Sequence, residues 1–282
     1  MAHSTYAIYQ TTTPHHKFPF AGCCIYCGSD GQPGSLKKEH IIPEAIGGRL
    51  FIPRASCLSC EQETHAFEGR IISGFYGDVR AHLGIRRGKH RKWPDQFKVR
   101  SISGTKTETH EAPLNQHPGW MMGLELFPAG LFLANPPTDP NLKAQSIRPV
   151  LSNASYIEHW KKTKAKLVLP GDGRTFVDFG RFLAKIAHSY AVAKLGVGMF
   201  IPFLTRAVRN EYPMNLSHYV GGQVSQYKPK GMVALHDLSI GLCSAPAFKS
   251  ELIFVNVRLF APFSLPSYEI IVGQATRATA RP

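Results

Sequence analysis

The chain has 282 residues and a formal charge of +14, from 33 lysines and arginines against 19 aspartates and glutamates; 43% of its residues are hydrophobic and 11% aromatic. This balance excludes a low-complexity chain, and the length holds one large domain or a small domain followed by a larger one. The charge excess points to a polyanionic partner, nucleic acid first, with a merely basic globular protein as the other reading.

Residues 1–21 read as a flexible N-terminal arm rich in Thr and His. They lack a basic region followed by an apolar run, so no secretory signal is expected. Residues 22–75 form the first domain and hold Cys23, Cys24, Cys27, Cys57 and Cys60, five of the six cysteines. A disulfide scaffold would spread its cysteines along a secreted chain, whereas paired Cys-x-x-Cys motifs point to metal. Cys24/Cys27 and Cys57/Cys60 can each present two thiolates from one tight turn, which together make a closed tetrahedral zinc site. Gly28 resembles the positive-φ position of a zinc knuckle. A closed four-sulfur site leaves no position for substrate, so this zinc is expected to be structural and to hold a domain too small to be secure alone. Cys23 is a spare thiol beside the site, and Cys243 reads as a core residue.

Between the cysteine pairs, Leu36–Ile42 predicts a short strand. Gly47-Gly48 predicts a tight bend, and Arg49–Pro53 a returning strand. From Cys57 the pattern is helical. At about 100° per residue, Glu61, His65 and Glu68 fall within about 60° of one another on one helix face. Phe67, Ile71 and Phe75 lie on the adjacent face and are expected to pack inward.

Residues 76–100 form a basic linker; Arg80–Arg100 carries eight Lys or Arg against one Asp. Arg86, Arg87, Lys89, Arg91 and Lys92, with Lys37 and Lys38 from the first domain, are candidates for phosphate contacts. Trp93 can stack on a base or anchor the linker. Residues 101–282 read as a C-terminal mixed α/β domain. Residues 97–170 predict short strands and loops, apart from a helix over "SYIEHWKKTKAKLV". Residues 176–206 predict a helix from the spacing of Phe179, Phe182, Leu183, Ile186 and Tyr190, weakened at its end by Gly196, Gly198 and Pro202. Lys185, His188 and Lys194 interrupt this apolar stretch, so it reads as a buried helix of a cytoplasmic protein rather than a membrane span. Two strands are expected in "SELIFVNVRLFAPFSLPSYEIIVGQ". His110, His117, His188 and His236 are scattered and read as surface or satisfied core residues.

Phosphodiester hydrolysis needs a nucleophilic water, a base for its proton, and positive charge on the phosphate and leaving oxygen. An imidazole suits the base near neutrality, and a neighbouring carboxylate can hold a hard cation. Glu39 and His40 offer that pair. By residue type alone, a zinc ribbon with solvated Glu and His side chains stands equally open.

The pieces "CIYCG", "KEHIIPEAIGG", "SCLSCEQET" and "FEGRI", in this order, resemble the HNH, or ββα-metal, endonuclease family, in the branch that carries a four-cysteine structural zinc. The resemblance implies an α+β architecture: a small zinc-stabilised ββα-metal domain followed by the larger mixed domain. It implies that His40 is the general base. It also implies that Glu39, Glu61 and His65 hold one catalytic Mg²⁺ or Mn²⁺, with Glu68 beside them. Glu39 stands where the family carries Asp, and Glu61 where it usually carries Asn. The implied substrate is DNA, double-stranded, cut to 5′-phosphate and 3′-hydroxyl ends, in a setting such as restriction or phage defence. No membrane partner is implied, and a homodimer is compatible with it. The alternative reading is a non-catalytic zinc module that binds nucleic acid.

Overall fold

The computed structural model describes residues 16–31, 34–77, 79–85, 92–117, 119–133, 142, 144–151, 166–167, 173–211, 215–222, 234–245, 248–263 and 265–276. The chain opens with strands β1 (His16–Lys17), β2 (Lys37–His40) and β3 (Leu50–Ser56), followed by helix α1 (Leu58–Phe75). The sheet order is β1-β3-β2, with β2 antiparallel to β3 and β1 parallel to it. The expected strand–bend–strand–helix order is therefore present. His16 and Lys17, from the segment expected to be an arm, pair with Leu50 and Phe51.

The bend depends on its two glycines. Gly47 has φ +89°, and a Cβ on Gly48 would lie 2.0 Å from the Ile42 carbonyl oxygen. Any larger side chain there would push β2 and β3 apart. Ile41, Ile46, Ile52, Phe67, Ile71 and Phe75 are buried, so the expected face of α1 does pack inward; Phe67 lies under the Arg181 guanidinium and Phe75 against the Phe179 ring.

A short helix α2 (Val79–His82) leads to the hairpin β4 (Gln96–Ser103) and β5 (Lys106–Pro113). A second hairpin joins β6 (Trp120–Leu126) to β7 (Ala144–Leu151). Strand β8 (Lys166–Leu167) pairs with β4. Most of the helix expected over residues 155–168 lies outside the described residues, but 166–167 are extended rather than helical.

Helix α3 (Gly173–Leu195) follows. It is shorter than the periodicity over 176–206 predicts. Gly196 and Gly198 take φ of +101° and +76°, which ends the helix, and β9 (Phe200–Pro202) is extended. Beyond α4 (Thr205–Val208) and α5 (Leu216–Tyr219), strands β10 (Val220–Gly222), β11 (Asp237–Cys243), β12 (Leu252–Arg258) and β13 (Tyr268–Ala275) complete a sheet ordered β10-β13-β12-β11, with β9 also paired to β13. β12 and β13 are the two strands expected near the C-terminus.

Helix α3 is buried on every side from Asp178 to Val192. One face meets α1, and others meet β12 and β13. A helix hydrophobic around most of its circumference must lie inside a protein. It therefore lies in the main core, which runs from Phe18 to Ala275; Ala129, Ala245, Leu252 and Ile271 form a separate, smaller cluster. Among the described residues no helix is long and apolar enough to cross a membrane.

Candidate active site and metal centre

The two Cys-x-x-Cys turns converge. The ligand atoms of Cys24, Cys27, Cys57 and Cys60 all lie within 4.8 Å of one another. The Sγ atoms of Cys27 and Cys57 are 3.7 Å apart. Tetrahedral zinc with Zn–S bonds of about 2.3 Å sets its sulfurs about 3.8 Å apart, so the four thiols fit that ion. Burial, then the charge of Cys24, pushes the Cys60 thiol up, so the sulfurs cannot all ionise without a cation among them. The first knuckle is closed by Gly28 N–H donating to the Cys24 carbonyl at 2.8 Å, with Gly28 at φ +75°. Cys57 is the residue that precedes the first turn of α1, so the four-cysteine cluster lies at the start of that helix.

Successive residues of a strand face opposite sides. On β2 this separates Glu39 from His40. Glu39 points inward and is 5% exposed. His40 points toward solvent with a side chain 20% exposed; its Nε2 lies 3.8 Å from Glu44 Oε2. The His40 Nδ1 is buried without a hydrogen-bond partner among the described residues. Burial, and then the charge of Lys38, lowers the His40 pKa below its ordinary value. Both effects favour the uncharged imidazole. Lys38 is exposed near it, with Nζ 5.8 Å from the centre of the Phe51 ring, and Lys37 is exposed one residue further along the strand.

Glu39 meets one of the polar residues that interrupt the apolar pattern of α3. Lys185 of α3 places Nζ 2.6 Å from Glu39 Oε1 and 2.9 Å from Glu68 Oε1. It also donates to the carbonyl of His40 and lies 3.5 Å from that of Ile41. Burial opposes the charge on Lys185, but Glu39 and Glu68 outweigh it and hold the ammonium pKa above its ordinary value. Burial raises the Glu68 carboxyl.

Glu61 and His65 do not join Glu39. Among the described residues the four cysteines are the one group of three or more His, Cys, Asp and Glu side chains close enough to share an ion. Glu61 is half-buried and His65 exposed, whereas Glu68, on the same helix face, is buried under α3. Seven residues, about 10 Å of helix rise, separate Glu61 from Glu68, the α1 carboxylate that shares the Lys185 ammonium with Glu39. The expected three-ligand set for a catalytic divalent ion does not fit this arrangement.

Lys185 belongs to a polar stripe on α3 that holds the first unit. Asp178 accepts two hydrogen bonds from Arg70, at 2.5 and 2.9 Å. Arg181 lies 3.5 Å from Glu63. The His188 Nε2 pairs with the Ile25 carbonyl at 2.8 Å, and the Ser189 hydroxyl with that of Tyr26 at 2.9 Å. Positions 178, 181, 185 and 188 recur at three- and four-residue steps, one face of a helix. That spacing of polar residues inside an apolar helix was the available signal for them.

Of the basic linker, Arg86, Arg87, Lys89 and Arg91 lie outside the described residues, and Lys92 is exposed. Trp93 acts as an anchor: its Nε1 donates to the Ile85 carbonyl at 3.0 Å, beneath the Arg80 guanidinium. His236 bridges the Ile46 carbonyl and the Phe260 N–H, and the buried His117 accepts from the Gly119 N–H. Cys23 stands outside the four-sulfur cluster.

Residues 24–74 match the family model for the HNH endonuclease. No curated protein and no solved structure matches the chain.

Proposed function

Because residues 24–74 form a domain of the HNH endonuclease family, we propose that this chain hydrolyses phosphodiester bonds in DNA with His40 as the general base. The observation that carries the reading is the placement of His40. It stands at the end of β2, partly exposed on the side opposite the buried Glu39, and burial and Lys38 favour its neutral form. A neutral imidazole in that position can take the proton of an attacking water while exposed Lys37 and Lys38 hold the phosphate backbone. The zinc held by Cys24, Cys27, Cys57 and Cys60 supplies structure and takes no part in the chemistry. Glu39, Glu61 and His65 do not converge among the described residues, so they offer no shared site for a divalent ion.

One observation favours the rival reading, a zinc module that binds nucleic acid without cutting it: the Glu39 carboxylate is already matched by Lys185. A plasmid-nicking assay separates the two. The proposal expects nicking that His40→Ala abolishes while zinc content and DNA binding persist. Binding with no nicking under any added Mg²⁺ or Mn²⁺ supports the rival.

A further inference from the structure

Four oxygen atoms converge on one buried point: a carboxylate oxygen each from Glu39 and Glu68, and the carbonyl oxygens of His40 and Ile41. Every donor is oxygen and two carry formal charge, which is the donor set that hard divalent cations prefer. The point is filled instead by the Lys185 ammonium, on a side chain that is 1% exposed. Lys185 cannot easily withdraw. The helix that carries it is pinned on both sides, by Asp178 to Arg70 and by Ser189 to Tyr26. An arriving ion would have to leave that ammonium buried and unpaired, which opposes its entry.

We infer that Lys185 is the resident cation of this centre: its ammonium fills the oxygen cradle of Glu39 and Glu68, so that Glu39 ligates no divalent ion. The positive charge at the acid-histidine pair is covalently attached and comes from the C-terminal part of the chain. The inference rests on the HNH reading only because that reading expects a metal on Glu39.

The test uses the full-length, zinc-loaded protein and Mn²⁺ alone. In the wild type, amide resonances of His40 and Ile41 should show no selective paramagnetic broadening on Mn²⁺ addition, and Glu39→Gln should leave Mn²⁺ uptake unchanged. In Lys185→Met the cradle loses its ammonium. That variant should gain one Mn²⁺ site, seen by electron paramagnetic resonance, and the double variant with Glu39→Gln should lose it. Selective broadening at His40 and Ile41 in the wild type would overturn the inference. So would a folded Lys185→Met that takes up no additional Mn²⁺. If Lys185→Met does not fold, the broadening measurement on the wild type decides alone. None of these readouts depends on cleavage, so a failure of the nuclease reading leaves them intact and is seen separately in the nicking assay.

Discussion

Lys185 Nζ lies 2.6 Å from Glu39 Oε1, and both side chains are almost wholly shielded from solvent. This contact joins the longest helix among the described residues to the strand that carries His40. Truncating one member of a buried ion pair strands its partner, typically at about 3–5 kcal/mol. Lys185→Ala is therefore expected to lower the unfolding free energy by roughly that amount, measured by urea denaturation with zinc present and no other divalent ion. A loss under about 1 kcal/mol would show that the contact contributes no more than an exposed pair.

The zinc site should control folding of more than its own turns. His188 and Ser189 of α3 bond to Ile25 and Tyr26, inside the first knuckle. The purified protein should hold about one zinc per chain, and chelation should lower the melting temperature of the whole chain in one transition. Elemental analysis and thermal denaturation check this. A Cys60→Ser variant that retains full zinc content and full stability would contradict the site.

His188 supplies a pH dependence. Burial lowers its pKa from 6.5 to about 4, so the folded protein keeps it neutral while the unfolded chain protonates it. Its contribution is present above about pH 6.5 and is lost as pH falls toward 4, at up to about 1.4 kcal/mol per pH unit. His188→Gln can still donate to the Ile25 carbonyl but cannot titrate. Its stability should therefore fall less steeply over that range by about the same slope. Denaturation curves at several pH values measure the difference; equal slopes would remove His188 as a contributor.

Lys37 and Lys38 are exposed on β2, next to His40. Each lysine that touches phosphate adds about 0.9 to the logarithmic salt slope of duplex DNA binding. Replacing both with Ala should flatten that slope by up to about 2 and weaken binding to all sequences alike. An unchanged slope would place the DNA elsewhere on the chain.

Much of the first unit was legible in the sequence. The cysteine spacing marks the four thiols that cluster, Gly47-Gly48 marks the bend, and Phe67, Ile71 and Phe75 mark the buried face of α1. These signals are local, carried by backbone conformation and by spacing. The partner of Glu39 was not legible, because Lys185 reaches it through tertiary packing. Read alone, Lys185 was an interruption in an apolar helix; only the fold shows two carboxylates and two carbonyls around it. The same limit applies to Glu61, His65 and Glu68. Helical periodicity put them on one face, but the approach of α3 buries Glu68 and leaves His65 exposed. The end of α3 was overrun for a local reason: Gly196 and Gly198 turn the chain at positive φ, and that outweighs the apolar pattern that continues beyond them.

The account turns on His40, and the direct measurement is the rate of plasmid nicking by wild-type protein and by His40→Ala at matched zinc content and matched DNA occupancy. Loss of a general base costs roughly a hundredfold or more in the chemical step. The account predicts nicking by the wild type and a loss of at least that size in the variant, with DNA affinity unchanged. Equal nicking rates, or no nicking by the wild type under any divalent ion, would contradict it.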